Sequence, residues 1–252
     1  MSHTILYLGD TELTGAAAYL AGLMTHWEWE FDYVASDKTV SSTHLQKSYE
    51  LIVLSDYPAS RMNDEIHSWL LHQVQTGSGL LMCGGWESYQ GLGGDWHGTP
   101  TAAALPVEID DSDDRFNCDA PLVVAKVQDH PIVRGLPWAE RPPLIGGLNR
   151  VTSKPAAKTI VEAHLFSVVQ SSQEFQFRFQ QPYPLLVVGN YGMGRTTALT
   201  TDLAPHWIWP MVDWGMPRVT AQAPGSNEVE VGGLYCQFLN QLLSWTGSWL
   251  AP

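Results

Sequence analysis

The first third of the chain alternates short apolar runs with segments of helical spacing, and this alternation most limits the folds open to it. The apolar runs lie at residues 4–8, 30–35, 50–56 and 79–83. Between them, apolar residues recur every three or four positions over residues 16–27 and 66–74, the pattern of amphipathic helices. Apolar strands separated by such helices predict a mainly parallel sheet covered on both faces, and therefore an α/β fold.

The middle and end of the chain show other patterns. Short strand candidates separated by Pro and Gly predict a β-rich elaboration over about residues 105–185, within a single domain of residues 1–252. Residues 190–195 separate two apolar runs and predict a hairpin, and the chain ends in a helical pattern. The acidic run 110–114 reads as a solvated turn, and residues 202–228 as a long irregular loop.

Composition excludes several classes of partner. The net charge of −13 argues against binding nucleic acid or an anionic membrane surface, both of which attract clustered Lys and Arg. No apolar run approaches the length of a transmembrane helix, and no signal peptide pattern opens the sequence. Three scattered cysteines do not form a disulfide framework. We therefore expect a cytoplasmic protein with no nucleic-acid or membrane partner.

A glycine-rich, aromatic loop follows the apolar run 79–83 and is the clearest candidate for a ligand site. Open α/β sheets bind ligands at the carboxyl ends of their strands, which is where this loop begins. We expect the loop over residues 84–100 and the segment 202–207 to meet at one edge of the sheet and enclose a pocket for a small polar molecule. The residues expected to line it are Gly84, Gly85, Trp86, Glu87, His97 and Trp207. Glu87 and His97 also have the side chains of an acid/base pair.

Cys83 has two interpretations. Cys83-Gly84-Gly85 matches the minimal form of a nucleophile elbow, in which a strained cysteine is activated by a nearby histidine. An elbow runs directly into a helix, however, and five glycines between residues 84 and 94 argue against one. The favoured interpretation is that Cys83 is the last buried residue of its strand and reacts poorly.

His206 is the histidine available late in the chain to act as a base towards Cys83. Ile208 stands where an orienting carboxylate is required, and Asp202 is the residue that could replace it. Cys83, His206 and Asp202 thus form a degenerate candidate catalytic set, and whether the protein is an enzyme stays open. No sequence motif for a metal or nucleotide is present, so we expect no metal and no cofactor.

Four motifs together resemble the glutamine-amidotransferase-like proteins of bacteria, in the class I glutamine amidotransferase-like superfamily. They are residues 79–91, 97–100, 129–137 and 194–207, joined by the shorter segment Leu54-Ser55-Asp56, so the resemblance covers nearly the whole chain. It implies a flavodoxin-like three-layer sandwich with a mainly parallel central sheet. In class I amidotransferases a cysteine follows a strand and a late His-x-Glu completes the site, which places Cys83 and His206 in those roles without the glutamate.

Two functions follow from these observations. The first is a cytoplasmic amidotransferase-like protein that lacks Cys–His glutaminase activity and binds a small polar ligand at the sheet edge. The alternative is a non-catalytic ligand-sensing or assembly module, whose Trp-rich loops make the subunit contacts of a homo-oligomer. The sequence has 11 Trp, which favours broad packed surfaces or a cleft under either interpretation.

Overall fold

The computed structural model describes residues 3–171 and 174–250. Its strands are β1 (Thr4–Gly9), β2 (Glu30–Val34), β3 (Leu51–Ser55), β4 (Gly79–Cys83), β5 (Val107–Glu108), β6 (Arg115–Lys126), β7 (Leu144–Asn149), β8 (Thr152–Ser153), β9 (Lys158–Gln170), β10 (Phe175–Tyr191), β11 (Gly194–Leu199), β12 (Arg218–Ala221) and β13 (Val229–Gly232). Its α-helices are α1 (Ala17–His26), α2 (Ser42–Leu45), α3 (Asp64–Gln75), α4 (Pro100–Ala104), α5 (Pro205–Val212) and α6 (Gly233–Thr246).

A nine-stranded sheet organises the protein, with the order β2-β1-β3-β4-β11-β10-β9-β6-β7. The first five strands in this order are parallel, and each of the remaining four is antiparallel to its neighbour. The α/β fold with a large parallel sheet is therefore confirmed. The segment from about 105 to 185 is β-rich as expected, and its strands β6, β7, β9 and most of β10 extend this same sheet.

Two apolar cores lie on opposite faces of the parallel strands because successive strand residues point to opposite sides. Ile5 and Tyr7 of β1 pack in one core with α1 and α6. Leu6 and Leu8 of the same strand pack in the other core with α3. The strands therefore read as continuous apolar runs, since both of their faces are covered by helices.

Local signals placed several elements correctly. Asn63 caps α3 by accepting a hydrogen bond from the Ile66 amide at 2.9 Å, and Thr99 caps α4 in the same way with Pro100 as its first residue. The expected hairpin is formed by β10 and β11, whose register closes at Tyr191 and Gly194.

Two expectations were wrong. Residues 202–228 are not an irregular loop, because they contain α5 and β12. The run 110–114 is not a wholly solvated turn either, since Asp114 is 3% exposed. In both cases tertiary packing, rather than local sequence, decides the conformation.

Candidate functional site

Asp10 and Asp56 occupy equivalent positions at the carboxyl ends of β1 and β3. Gly9 and Ser55 are the last residues paired between these strands, and an aspartate follows each of them. Both aspartates have left-handed backbone conformations, with φ of 50° for Asp10 and 47° for Asp56. Such angles are uncommon for residues other than glycine and cluster at functional sites. The backbone thus turns sharply after each of the two strands and leaves both carboxyl groups at one edge of the sheet.

Burial and the nearby charge of Asp202 raise the pKa of both carboxyl groups to the neutral range. Burial, followed by the nearby carboxylates of Asp202 and Asp56, raises the pKa of Asp10 from its ordinary value to about 8. Burial and then Asp202 raise the pKa of Asp56 to about 7. Tyr7 donates its hydroxyl to Asp10 Oδ2 at 3.2 Å, and the Glu87 amide donates to Asp56 Oδ1 at 2.8 Å. Each carboxyl group is therefore fixed in place while close to its titration point.

A cavity of about 410 Å³ opens beside the two aspartates. It is lined by Asp10, Thr11, Ser36, Asp56, Trp86, Glu87 and Leu92. The Arg115 guanidinium lies 4.6 Å from the centre of the Trp86 ring and holds this half-exposed indole at the rim. The lining therefore combines carboxyl and hydroxyl groups with one aromatic face, a composition suited to a small polar ligand.

The segment that begins at Asp202 lies beside this cavity without lining it. The Gly84 amide donates to the Thr201 carbonyl at 2.9 Å, so the glycine-rich loop and the end of β11 do meet. The expectation that residues 202–207 help to enclose the pocket was wrong, because the lining comes from the glycine-rich loop, residues 10 and 11, Ser36 and Asp56. Asp202 acts on the cavity through its charge.

Asp202 and His206 are joined by a hydrogen bond. Asp202 Oδ1 accepts the Leu203 and Ala204 amides at 2.6 and 3.0 Å, which caps the turn into α5. Its Oδ2 lies 3.2 Å from His206 Nδ1, and this hydrogen bond raises the pKa of the histidine. The His206 side chain is 69% exposed, whereas that of Asp202 is 5% exposed. The pair has the geometry of an oriented base that faces solvent.

Cys83 is the last residue of β4 and is fully buried, as expected. Burial raises the pKa of its thiol well above the ordinary value, and the carboxylates of Asp202, Asp10 and Asp56 raise it further. The next α-helix after β4 is α4, which begins only at Pro100, so no strand-to-helix elbow exists at Cys83. Each of these features disfavours a thiolate nucleophile.

Gly84 and Gly85 allow the glycine-rich loop to lie against its neighbours. A Cβ atom at Gly84 would overlap the Thr200 carbonyl, and one at Gly85 would overlap the Asp56 carboxyl group. Gly85 also has a φ of +155°, which side chains rarely adopt. These two residues therefore position Asp56 by their lack of side chains, while Trp86 and Glu87 supply the functional groups that face the cavity.

Asp114 and Asn149 fix the glycine-rich loop in place through hydrogen bonds. Asp114 accepts hydrogen bonds from the amides of Gln90 and Gly91 at 2.9 and 3.0 Å, and from Asn149 Nδ2 at 2.7 Å. Asn149 in turn accepts the Gly85 amide at 2.9 Å. The acidic run thus supplies a buried anchor for the loop that shapes the cavity.

His97 and Trp207 lie elsewhere. His97 is exposed, and its Nδ1 bonds the Ile109 carbonyl at 2.6 Å, away from the cavity lining that contains Glu87. Trp207 is buried, donates to Asn117 Oδ1 at 2.6 Å, and packs its ring against Gly147 of β7. Both side chains therefore have structural contacts of their own.

Sequence reasoning missed Asp10, Asp56, Thr11 and Ser36. A signal was present for the two aspartates, because each directly follows an apolar run that predicts a parallel strand. Ser36 carries no such signal. It reaches the site because its amide donates to the Asp10 carbonyl at 3.0 Å.

A larger groove of about 850 Å³ runs along the edge strand β2 and is a weaker candidate. Three of its polar side chains hydrogen-bond to one another. Asp32 Oδ2 accepts hydrogen bonds from Lys47 Nζ at 2.7 Å and from the Tyr49 hydroxyl at 2.6 Å. These three groups are therefore already engaged within the groove.

Neither a metal centre nor a membrane span is found in the part of the chain that the structure describes. Within residues 3–171 and 174–250, no group of three or more His, Cys, Asp or Glu side chains is placed to hold a metal ion. No helix in the same residues is both long and apolar enough to span a membrane.

The fold and the site first define a class: α/β proteins that gather polar side chains at the carboxyl ends of parallel strands. The family model described as "Putative glutamine amidotransferase" matches residues 7–218. The chain therefore belongs to this glutamine amidotransferase family, as the resemblance of its motifs predicted. No curated protein matches the sequence.

Solved structures share the fold over nearly the whole chain. Two structures of cytoplasmic proteins from Salmonella typhimurium align with TM-scores of 0.70 and 0.74 at 19% and 20% identity. Each alignment covers 96% of this chain, and 98% and 99% of the respective neighbour. A ThuA-like protein from Parabacteroides merdae aligns with a TM-score of 0.62 at 13% identity, over 98% of this chain and 91% of that one. At these identities the likeness establishes the fold.

Proposed function

We propose that the protein binds a small polar molecule in the cavity at the carboxyl ends of β1 and β3, without Cys–His glutaminase activity. The observation that carries this proposal is the pair Asp10 and Asp56. They lie at matched positions beside the cavity and have left-handed backbone conformations. Burial raises the pKa of Asp10 to about 8 and that of Asp56 to about 7. Carboxyl groups with such pKa values donate and accept hydrogen bonds near neutral pH, and can transfer protons.

The charges around the cavity select the class of ligand. Asp10, Asp56 and Glu87 line it, and Asp202 lies close enough to raise the pKa of both aspartates. An anionic ligand would add to a repulsion that already keeps carboxyl groups protonated. A neutral ligand with several hydroxyl groups, or a cation, would instead hydrogen-bond to the carboxyl groups and rest against Trp86. The proposed ligand is therefore neutral or cationic.

Ligand binding is expected to follow charge in a thermal-shift measurement with matched probes. Glucose and putrescine represent the neutral and cationic classes, and glucose 6-phosphate is the anionic counterpart of glucose. A ligand at about 100 times its Kd stabilises the native state by roughly 2.7 kcal/mol, which raises Tm by several degrees. We expect a rise with at least one of the first two probes and none with the phosphate ester.

Two variants test whether the ligand-induced shift in Tm comes from this cavity. Asp56→Asn alters the cavity and should remove the shift in Tm, whereas His97→Ala, outside the lining, should leave it unchanged. Equal shifts with glucose and its phosphate ester, or a shift that survives Asp56→Asn, would contradict the proposal.

Glutaminase activity is expected to be absent. The Cys83 thiol is buried with a raised pKa, and neighbouring carboxylates oppose its ionisation. Loss of the activated nucleophile costs many orders of magnitude in triad enzymes. The measurement is glutamate release from L-glutamine, which should stay at the uncatalysed rate in the wild type. Release that disappears in both Cys83→Ser and His206→Ala would overturn this expectation, and Asp202→Asn would then test the orienting carboxylate.

The proposal also includes the three-layer arrangement of the fold and the location of the protein in the cell. The cores on both faces of the parallel strands support a flavodoxin-like three-layer sandwich in one domain. A cytoplasmic location is supported by the names of the two Salmonella neighbours.

A further inference from the structure

The hairpin of β9 and β10 extends beyond the main sheet as a two-stranded ribbon, defined here as residues 165–170 and 175–179. β9 pairs with β6 only up to His164, and β10 pairs with β11 only from Leu186 onward. Within the described residues, the two segments of the ribbon pair with each other and with no third strand. Two-stranded sheets in water are marginally stable without packing on one face.

The register divides the ribbon into two faces. Gln170 lies opposite Phe175 and Phe166 lies opposite Phe179, and Val168 belongs to the same face because alternate residues of a strand point the same way. The other face carries Val169 with Gln176, and Ser167 with Arg178. One face is therefore largely apolar and the other largely polar.

The apolar face is exposed in the single chain. Phe175 and Phe179 are each 65% exposed and Val168 is 48% exposed. The Phe179 ring meets the His164 ring edge-on, with centroids 5.7 Å apart, and still leaves most of its surface open. Contiguous apolar surface of this kind marks an interaction site in soluble proteins.

We propose that this face packs against the same face of a second copy of the chain, forming a two-fold symmetric dimer. The ribbon contains one charged residue, Arg178, on the opposite face, whereas the whole chain has a net charge of −13. Two strongly acidic molecules approach with least repulsion through a nearly neutral projection that keeps their bodies apart. The apolar face is thus the least repulsive place for self-association.

The area predicts a dimer that depends on concentration. A Phe side chain buries about 150–250 Å² in full, so these three residues offer roughly 300 Å² per copy. Twice that area is about 600 Å², below the roughly 1,200 Å² at which standard specific interfaces begin. The proposed dimer should therefore be weak and populated mainly at the upper end of the micromolar range.

The test compares Val168→Asp with Val169→Asp by sedimentation between about 1 and 100 µM. The two valines are adjacent, similarly exposed at 48% and 43%, and on opposite faces, so they are matched controls. The wild type and Val169→Asp should dimerise with similar Kd. Val168→Asp should weaken the dimer at least a hundredfold, because it buries two unpaired carboxylates at the interface.

Further measurements test whether the variants remain folded and whether something other than a second copy binds the apolar face. Phe175→Ser should also give a monomer, and all variants should keep the Tm of the monomeric wild type because the changed side chains are exposed. A wild type that stays monomeric at 100 µM overturns the proposal, as do equal effects of the two valine substitutions. A monomer that binds phosphatidylcholine vesicles through the ribbon would also overturn it in favour of a lipid surface.

Discussion

Replacing Asp114 by alanine is expected to lower the free energy of unfolding by roughly 3–5 kcal/mol, since it removes the buried acceptor of three hydrogen bonds. The donors are the amides of Gln90 and Gly91 and the side-chain amide of Asn149. Burial raises the pKa of Asp114, which means that its charged form is destabilised in the folded protein. The alanine variant is free of this destabilisation. The net loss is therefore smaller than the sum of the three hydrogen bonds.

The neighbouring Asp113 provides the matched control. It bonds Arg115 through both oxygens, but its side chain is half exposed, so Asp113→Ala should cost less than about 1 kcal/mol. Chemical denaturation measures both values, and hydrogen exchange at Gln90 and Gly91 reports the loop itself. Similar losses in the two variants would show that Asp114 is not the anchor of the glycine-rich loop.

Stability is expected to fall by several kcal/mol as the pH rises from about 4 to 8, through the ionisation of Asp10 and Asp56. An unfolded aspartate has a pKa of about 3.9, whereas in the folded protein the values are about 8 and about 7. Between these limits the native state binds more protons than the unfolded state. The stabilising contribution is thus complete below about pH 4 and is lost as the pH passes the folded pKa values.

Asparagine substitutions isolate this effect because asparagine resembles a protonated aspartate. Asp10→Asn should be more stable than the wild type by only roughly 1–2 kcal/mol at pH 5, and by roughly 5 kcal/mol at pH 8.5. Asp56→Asn should behave similarly, and Asp37→Asn, at a half-exposed position outside the cavity lining, is the control substitution. Denaturation curves at the two pH values measure the difference. An advantage of Asp10→Asn at pH 5 that equals its advantage at pH 8.5 would exclude titration as the cause.

The sheet edge that carries the cavity was predictable from the sequence, whereas most of the residues that line the cavity were not. The run 79–83 and its glycine-rich loop pointed to the sheet edge where this cavity lies, and Trp86 and Glu87 are among its lining residues. His97 and Trp207 could not be judged from sequence, because whether a polar or aromatic side chain faces a cavity or its own protein depends on partners distant in the chain. For these residues the partners are Ile109 and Asn117.

The β9–β10 ribbon illustrates a second limit. The sequence predicted a β-rich segment over about residues 105–185 without distinguishing this ribbon, although Phe alternates with polar residues at 175–179, which is itself a strand pattern. In the described residues the ribbon lies beyond the strands of the main sheet, so no core placement could be inferred for it.

The sequence by itself determined the parallel α/β layout, the caps of α3 and α4, the β10–β11 hairpin and the burial of Cys83. Each follows from periodicity or from contacts within a few residues, which the order of residues specifies directly. Only the tertiary structure decided that Asp10 and Asp56 share a cavity, that Asp114 anchors a loop more than 20 residues away, and that residues 202–228 contain α5 and β12. The reason is physical: the pKa of a carboxyl group and the position of a loop depend on burial and charge summed over neighbours from several strands, and chain folding alone brings those neighbours together.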